Sequence, residues 1–235
     1  MSELILRPIG TIRTPFVDKY AAPRQPGADG VHTVGKVVLD HGNNFEQALS
    51  DLEGFEKIWL LYQFDRNSNW KPKVLPPRSN VKRGVFATRS PHRPNPIGLS
   101  LVSLLEIRGR TLIVEGVDML DKTPLLDIKP YLPEIESFPN ARNGWLDSID
   151  TRDEAPRTFV YSTDAMTQLD GMAADEAQKI REHIERILRY EIAPHPYKRI
   201  TKVGDGLFIL AYKSWRIEFA TDNHSNITIR ALGRS

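Results

Sequence analysis

Cysteine is missing from the chain altogether, which excludes a disulfide framework, a thiolate metal site and a cysteine nucleophile, and fits a reducing cytoplasm. Long apolar runs are missing too. Nothing approaches the ~20 apolar residues of a membrane span, and the leading MSELILRPIGTIRTPF lacks the basic segment and apolar core of an export signal. The chain is therefore expected neither to span a membrane nor to be exported by that route. The six histidines are isolated, with no HxH, HxxxH or HExxH spacing, so no metal site is expected. No GxGxxG follows a strand and no Walker loop occurs, which removes the Rossmann and P-loop routes to a nucleotide. Ser90 and Ser100 lack a nucleophile elbow.

A large net charge is also absent, since 32 Lys and Arg face 30 Asp and Glu, a formal +2. The distribution is uneven. From Asp65 to Ser100 the only acid is Asp65, against Arg66, Lys71, Lys73, Arg78, Lys82, Arg83, Arg89 and Arg93. Acids collect later, at Glu115, Asp118, Asp121, Asp127, Glu134 and Glu136. A basic region beside a stiff loop suits an anionic ligand such as RNA phosphate.

At 235 residues the chain suits one large domain and a smaller one. The first part reads as strands by alternation and β-branched content: LILRPIGTIR, VGKVVL, KIWLLYQF, GVFAT, LSLVSLLEI, TLIVEGVDML and PLLDIKPY. NNFEQALSDLEGF interrupts them as a short helix, with Asn44 as its cap and Gly54 as its stop. The clearest hairpin joins Leu99–Ile107 to Thr111–Met119 through RGR. Many short strands with few helices predict an antiparallel barrel or closed sandwich. After a linker rich in proline and acids, TFVYS is a strand and Ala173–Glu191 the best helix, with Ala177, Ile180, Ile184, Ile187 and Leu188 on one face. LFILAY, WRIEFA and NITIRAL then supply a small sheet. The expected fold is mainly β, with an N-terminal β-barrel domain over 1–140 and a smaller α+β domain over 156–235.

The stretch RSPHRPNPIGLS, 89–100, combines stiffness with positive charge. Each proline fixes its own φ and pushes Ser90, Arg93 and Asn95 before it towards extended backbone. Asn95, flanked by two prolines, has little freedom, and Gly98 allows a close approach or positive φ before the next strand. Such preorganisation lowers the entropy cost of binding. Arg89 and Arg93 offer bidentate donors to a carboxylate or phosphate.

These residues carry a resemblance. ATRSPHRPNPIGLS, with APRQPG at 22–27, FEKIWLLYQF at 55–64 and DMLDKTPLLDIKPYLP at 118–133, is similar to the TrmO (TsaA-like) family, and APHPYKR at 193–199 resembles its short C-terminal motif. The resemblance implies a homodimeric β-barrel enzyme of the cytoplasm that uses S-adenosyl-L-methionine to methylate N6 of threonylcarbamoyladenosine beside the tRNA anticodon. It places cofactor contacts at Pro23, Arg24 and Gln25, at Asp65 and Arg66, at Arg89 and Leu99, and at Asp121, Lys122, Thr123 and Pro124. Lys122 stands where the family more often has glycine, which argues against a left-handed turn there. A general base for the acylated N6–H is sought at Asp121, Asp127 or His92, and Asn95 joins the candidate catalytic set. Lys71, Lys73, Lys82, Arg83, Arg93, Lys198 and Arg199 are the expected RNA phosphate contacts. Trp59, Tyr62, Phe64 and Trp70 are possible base-stacking residues, with Trp59 and Phe64 more at home in a core. A binding module without turnover, and a methyltransferase for a small molecule, are the alternatives.

Overall fold

The computed structural model describes residues 5–18, 22–23, 32–77, 79, 81–148, 157–189, 192, 199–222 and 226–234. Arg24, Gln25 and Lys198 lie outside the described residues. The chain divides into two compact units, Met1–Ala141 and Arg142–Ser235.

In the first unit, strands β1 (Gly10–Arg13), β2 (Val34–Leu39) and β3 (Lys57–Gln63) join β6 (Ile97–Arg108), β7 (Thr111–Glu115) and β8 (Thr123–Pro130). They form a closed antiparallel barrel in the order β1-β2-β7-β6-β3-β8. The alternation that marked the strands selects the inward face. Ile12, Val37, Leu60, Val102, Leu112, Val114 and Leu125 fill the interior, each contributing about 1.5–3 kcal/mol of burial. Closure leaves no edge strand to pair with another chain. It also demands close approaches: a Cβ at Gly10 would lie 2.4 Å from the Val38 carbonyl oxygen.

The register sets which end of the barrel carries the loops. Gln63 pairs with Ile97, Val34 with Glu115, and Ile12 with Thr123. The long connections 14–33, 64–96 and 116–122 therefore all leave from one mouth. The opposite end carries the 40–56 connection and the β6–β7 turn.

Several expectations change in detail. Among the described residues of LILRPIGTIR, only Gly10–Arg13 is a strand. GVFAT is not one strand: Arg83–Gly84 (β5) pairs with Lys73–Val74 (β4), and Val85–Ala87 is a single 3₁₀ turn. TLIVEGVDML leaves the sheet after Glu115, where Gly116 takes a φ of 90°. The helix in 43–55 shrinks to α1 (Phe45–Ala48) plus a 3₁₀ turn at Leu52–Gly54. Asn44 precedes α1 in the left-handed region, φ 54°, and its side chain bonds Gln47 rather than capping the backbone. After β8, the short helix α2 (Pro133–Glu136) lies beside Trp59, whose indole N–H donates to Glu136 at 3.0 Å on the outer wall.

The second unit is a five-stranded sheet, β10-β11-β12-β13-β9, built from β9 (Thr158–Tyr161), β10 (Ile200–Gly204), β11 (Leu207–Tyr212), β12 (Trp215–Thr221) and β13 (Asn226–Arg234). β9 runs parallel to β13, and the other pairs are antiparallel. Helices α3 (Thr163–Asp170) and α4 (Ala174–Leu188) supply Leu169, Ile180, Ile184 and Leu188 to a core shared with Leu210, Ile217 and Phe219. The mainly β expectation with a small α+β second part holds. Missing from it were β10 and α3, the latter only eight residues long and opened by the Ser162 hydroxyl accepting from the Ala165 N–H at 3.1 Å.

At the β6–β7 turn, Arg110 donates to the Leu39 carbonyl at 2.6 Å, pairs with Glu46 at 2.8 Å and reaches His41 at 2.8 Å. It thereby ties the hairpin tip to β2 and α1. Arg110→Ala is expected to lower unfolding free energy by about 1–3 kcal/mol, read as the urea midpoint, with Arg110→Lys recovering only part of the loss because the planar fork is gone.

Candidate active site at one mouth of the barrel

The loop before β6 is held by consecutive tight turns. The Thr88 N–H donates to the Val85 carbonyl at 3.1 Å, and the Thr88 hydroxyl accepts from the Ser90 N–H at 3.2 Å. Two i→i+2 bonds follow, Arg93 N–H to Pro91 at 2.9 Å and Ile97 N–H to Asn95 at 2.8 Å. Pro96 is the central residue of the second, where its fixed φ suits an inverse γ-turn. Arg93 closes the loop on itself: one guanidinium nitrogen donates to the carbonyls of Val85 at 3.2 Å and Thr88 at 2.8 Å. Neighbouring segments are pinned as well, with the Phe64 N–H on Pro96 at 2.8 Å and the Lys71 N–H on His92 at 3.1 Å. His92 Nδ1 lies 3.2 Å from the Asn69 carbonyl. Asn95 and Arg89 keep exposed side chains.

Beneath this loop a polar chain enters the apolar barrel. Tyr62 points inward from β3 and is 4% exposed, so it is sealed in rather than offered to a base. Gly98 makes room for it; a Cβ there would come 2.3 Å from the phenol ring. Of the two roles expected of Gly98, close approach is therefore the one it serves. The Tyr62 hydroxyl lies 3.1 Å from the Ser100 hydroxyl, and Ser100, 1% exposed, donates to the Asp118 carboxylate at 2.6 Å. Burial pushes the Asp118 carboxyl up to about 6, against the opposing pull of the Ser100 hydrogen bond and the Arg89 charge. Burial first, then the Asp118 charge, also raises the Tyr62 phenol.

The rim of the same mouth is built by the 118–124 turn. Asp121 accepts the Thr14 N–H at 3.1 Å and faces Arg13 at 3.9 Å, while the Thr14 hydroxyl donates to Met119 at 3.0 Å. Arg66 donates to the carbonyls of Asp121 at 2.6 Å and Val17 at 3.2 Å. Lys122 does adopt the left-handed conformation, φ 67°, contrary to the expectation from its side chain. Its N–H bonds Ile12 at 2.9 Å, and the Thr123 hydroxyl bonds Leu120 at 2.8 Å. Those bonds offset the strain of about 1–2 kcal/mol that a non-glycine residue carries there. Pro124 follows, partly exposed, opposite Thr11 of β1.

The structure thus brings Asp65, Arg66, Arg89, Asn95, Leu99, Asp121, Lys122 and Thr123 to one end of the barrel. Leu99 is 51% exposed on the outer wall, and Phe86 and Trp70 nearby in the sequence are 76% and 54% exposed. Pro23 is partly exposed. Lys71, Lys73 and Lys82 are exposed on the 64–96 connection, whereas Arg199 belongs to the second unit. Asp127 does not join the group. It sits midway along β8, where it accepts the Ile128 N–H at 2.9 Å, pairs with Lys129 at 2.9 Å and lines an open cavity of about 480 Å³ with Ile9, Leu39, Phe45 and Pro130 at the other end. Asp118, which the family resemblance offered beside Asp121 as a partner for the cofactor's ammonium or ribose hydroxyls, is the residue whose environment stands out.

A closed antiparallel barrel with a rigid, charged rim over a partly buried carboxylate defines a non-Rossmann barrel domain joined to a small α+β unit. The family profile described as the tRNA-methyltransferase O N-terminal domain matches residues 11–137, and the chain belongs to that family. It is 42% identical over 155 residues to a probable S-adenosyl-L-methionine-binding protein of Archaeoglobus fulgidus, covering 66% of this chain and 41% of that protein. It is 42% identical over 156 residues to the tRNA (adenine(37)-N6)-methyltransferase of Escherichia coli, covering 63% of this chain and 66% of that one. Both curated relatives are thus matched over less than two thirds of their own length. The crystal structure of TrmO from Pseudomonas aeruginosa superposes with a TM-score of 0.61 at 30% identity, covering 99% of each chain.

Two outcomes follow from this geometry. Gly98→Ala is expected to destabilise the barrel by about 1–3 kcal/mol through overpacking against Tyr62, read by urea denaturation. Asp118 has its carboxyl raised in the folded state, so the folded protein holds the proton more tightly than the unfolded chain. Its contribution is fully present below the ordinary carboxylate value of 3.8 and is lost as pH rises to about 6. At 1.36 kcal/mol for each unit, the loss is at most about 3 kcal/mol. Asp118→Asn should remove that slope, measured as the difference between variant and native unfolding free energies at pH 4.5 and pH 7.

Proposed function

We propose that the chain is a cytoplasmic, homodimeric tRNA methyltransferase that uses S-adenosyl-L-methionine to methylate N6 of threonylcarbamoyladenosine beside the anticodon. In this reading residues 1–140 hold the cofactor and 156–235 assist tRNA binding. The observation that carries it is an exposed Arg89, on a loop locked by its own turns, whose charge acts on a partly buried Asp118 at the mouth of a barrel belonging to this family.

The residues present suit the group. Its amino-acid end carries one negative and one positive charge, and the mouth offers Arg89 for the first and carboxylates for the second. Pro23, Arg24, Gln25, Asp65, Arg66, Leu99 and the Asp121–Pro124 turn complete the proposed surround. When bound, the cofactor supplies an electrophilic methyl on a sulfonium. The chain's part is chiefly to position: the turn-locked loop and the hydrogen-bonded rim hold their groups before the ligand arrives, so little entropy is lost on alignment. A preorganised polar rim also stabilises charge as it moves. N6 of the substrate is acylated and its N–H correspondingly acidic, so a base near neutrality suffices. Asp121 and His92 are on the right side of the barrel for this role, and Asn95 for orienting the substrate. Asp127 is not retained. Lys71, Lys73, Lys82, Arg83, Arg93, Lys198 and Arg199 are proposed to meet tRNA phosphates, with Trp70 available for stacking.

Incubation of the purified chain with the cofactor and tRNA carrying threonylcarbamoyladenosine should add one methyl to that nucleoside and none to tRNA lacking it, as read by nucleoside mass spectrometry. No mass shift with a fully modified tRNA pool would overturn the reading, and binding without turnover would mark a binding module instead. Arg89→Ala should weaken cofactor affinity roughly tenfold or more, the worth of a charge-assisted hydrogen bond; unchanged affinity by calorimetry removes Arg89 from the site.

A further inference from the structure

We infer that Asp118, buttressed by Ser100 and Tyr62, answers positive charge at the barrel mouth by giving up a proton, so that the site favours a cationic sulfonium ligand over the neutral thioether that remains after methyl loss. The inference rests on the cofactor reading above and deepens it, assigning a positioning residue that sets ligand charge preference.

Three of the other charged groups at this mouth already have partners. Asp121 holds the Thr14 N–H and faces Arg13, Arg66 holds two carbonyls, and Arg93 holds two more. Glu115, on the strand leading into the same connection, pairs with His32 at 3.3 Å. Among the described residues Asp118 makes no ion pair; its side-chain partner is Ser100 at 2.6 Å. The groups that face it are Tyr62 from β3, Ser100 from β6 and the Arg89 charge from the loop. Below lies the hydrocarbon of the barrel, so a charge added at the mouth is poorly screened.

Burial keeps this carboxyl near half-protonated at about pH 6. The buried Ser100 donor and Arg89 both favour its ionised form, yet do not overcome desolvation. A second positive charge nearby tips the balance, and the proton leaves. A ligand of the same shape without the sulfonium charge does so less. The differential affinity of the two ligands therefore carries the proton with it, and rises with pH by up to about tenfold for each unit by which the ligand lowers the carboxyl.

The test is calorimetry of S-adenosylmethionine and S-adenosylhomocysteine on the full chain at pH 5.5, each in two buffers of different ionisation enthalpy. The sulfonium ligand should release more protons than the thioether, and the ratio of their affinities should rise at least threefold from pH 5 to pH 7. Asp118→Asn should make that ratio independent of pH. Ser100→Ala, which removes a bond favouring the ionised carboxylate, should move the rise to higher pH, an effect that a purely structural role would not produce. Equal proton release by the two ligands, or an Asp118→Asn protein with the native pH dependence, overturns the inference while leaving the cofactor reading standing. Binding of neither ligand overturns both.

Discussion

Because β1 pairs with both β2 and β8, every strand of the barrel has two neighbours, and the interior becomes a closed space that side chains alone must fill. That closure explains the rest of the first unit. It requires Gly10 where β1 approaches β2, and it requires Gly98 where the Tyr62 ring crosses β6. It also sends three long connections out of one mouth, because strand polarity leaves them nowhere else to go.

A polar group can enter such an interior only if it is hydrogen-bonded. Tyr62, Ser100 and Asp118 satisfy one another in sequence, and the last of them lies under the positive loop. The chain of hydroxyls therefore does two jobs. It lets a phenol fill the barrel end, and it holds a carboxylate where burial keeps its proton poised. The rim around it is rigid for an independent reason. Proline-centred turns, the Arg93 guanidinium and the Arg66 bridge fix the loops to each other through backbone carbonyls.

Much of this was legible beforehand. The strands VGKVVL and KIWLLYQF carry a period of two that survives any tertiary context, and their observed limits match to within a residue. The stiffness of PHRPNP is a local property of proline and was sound for the same reason. The failures have physical causes. GVFAT has β composition, but Val85–Ala87 follows a two-residue strand and turns at once towards the loop. Lys122 keeps a left-handed backbone because its N–H is held by Ile12 of β1 while the flanking Thr123 bonds back to Leu120 within the turn. β10 was hidden because Ile200–Gly204 carries a single buried side chain and so shows little alternation.

From sequence alone came what depends on neighbours along the chain: the strand pattern, the amphipathic face of α4, the cationic stiff loop and the family resemblance. Tertiary structure decided which distant residues share a site. Asp121 and Asp127 are six positions apart on one motif, yet strand β8 carries the second away from the mouth, since each extended residue advances about 3.3 Å. Asp118 and Tyr62 stand far apart in the chain, and only the pairing of β3 with β6 sets the Ser100 hydroxyl between them and the Arg89 charge above.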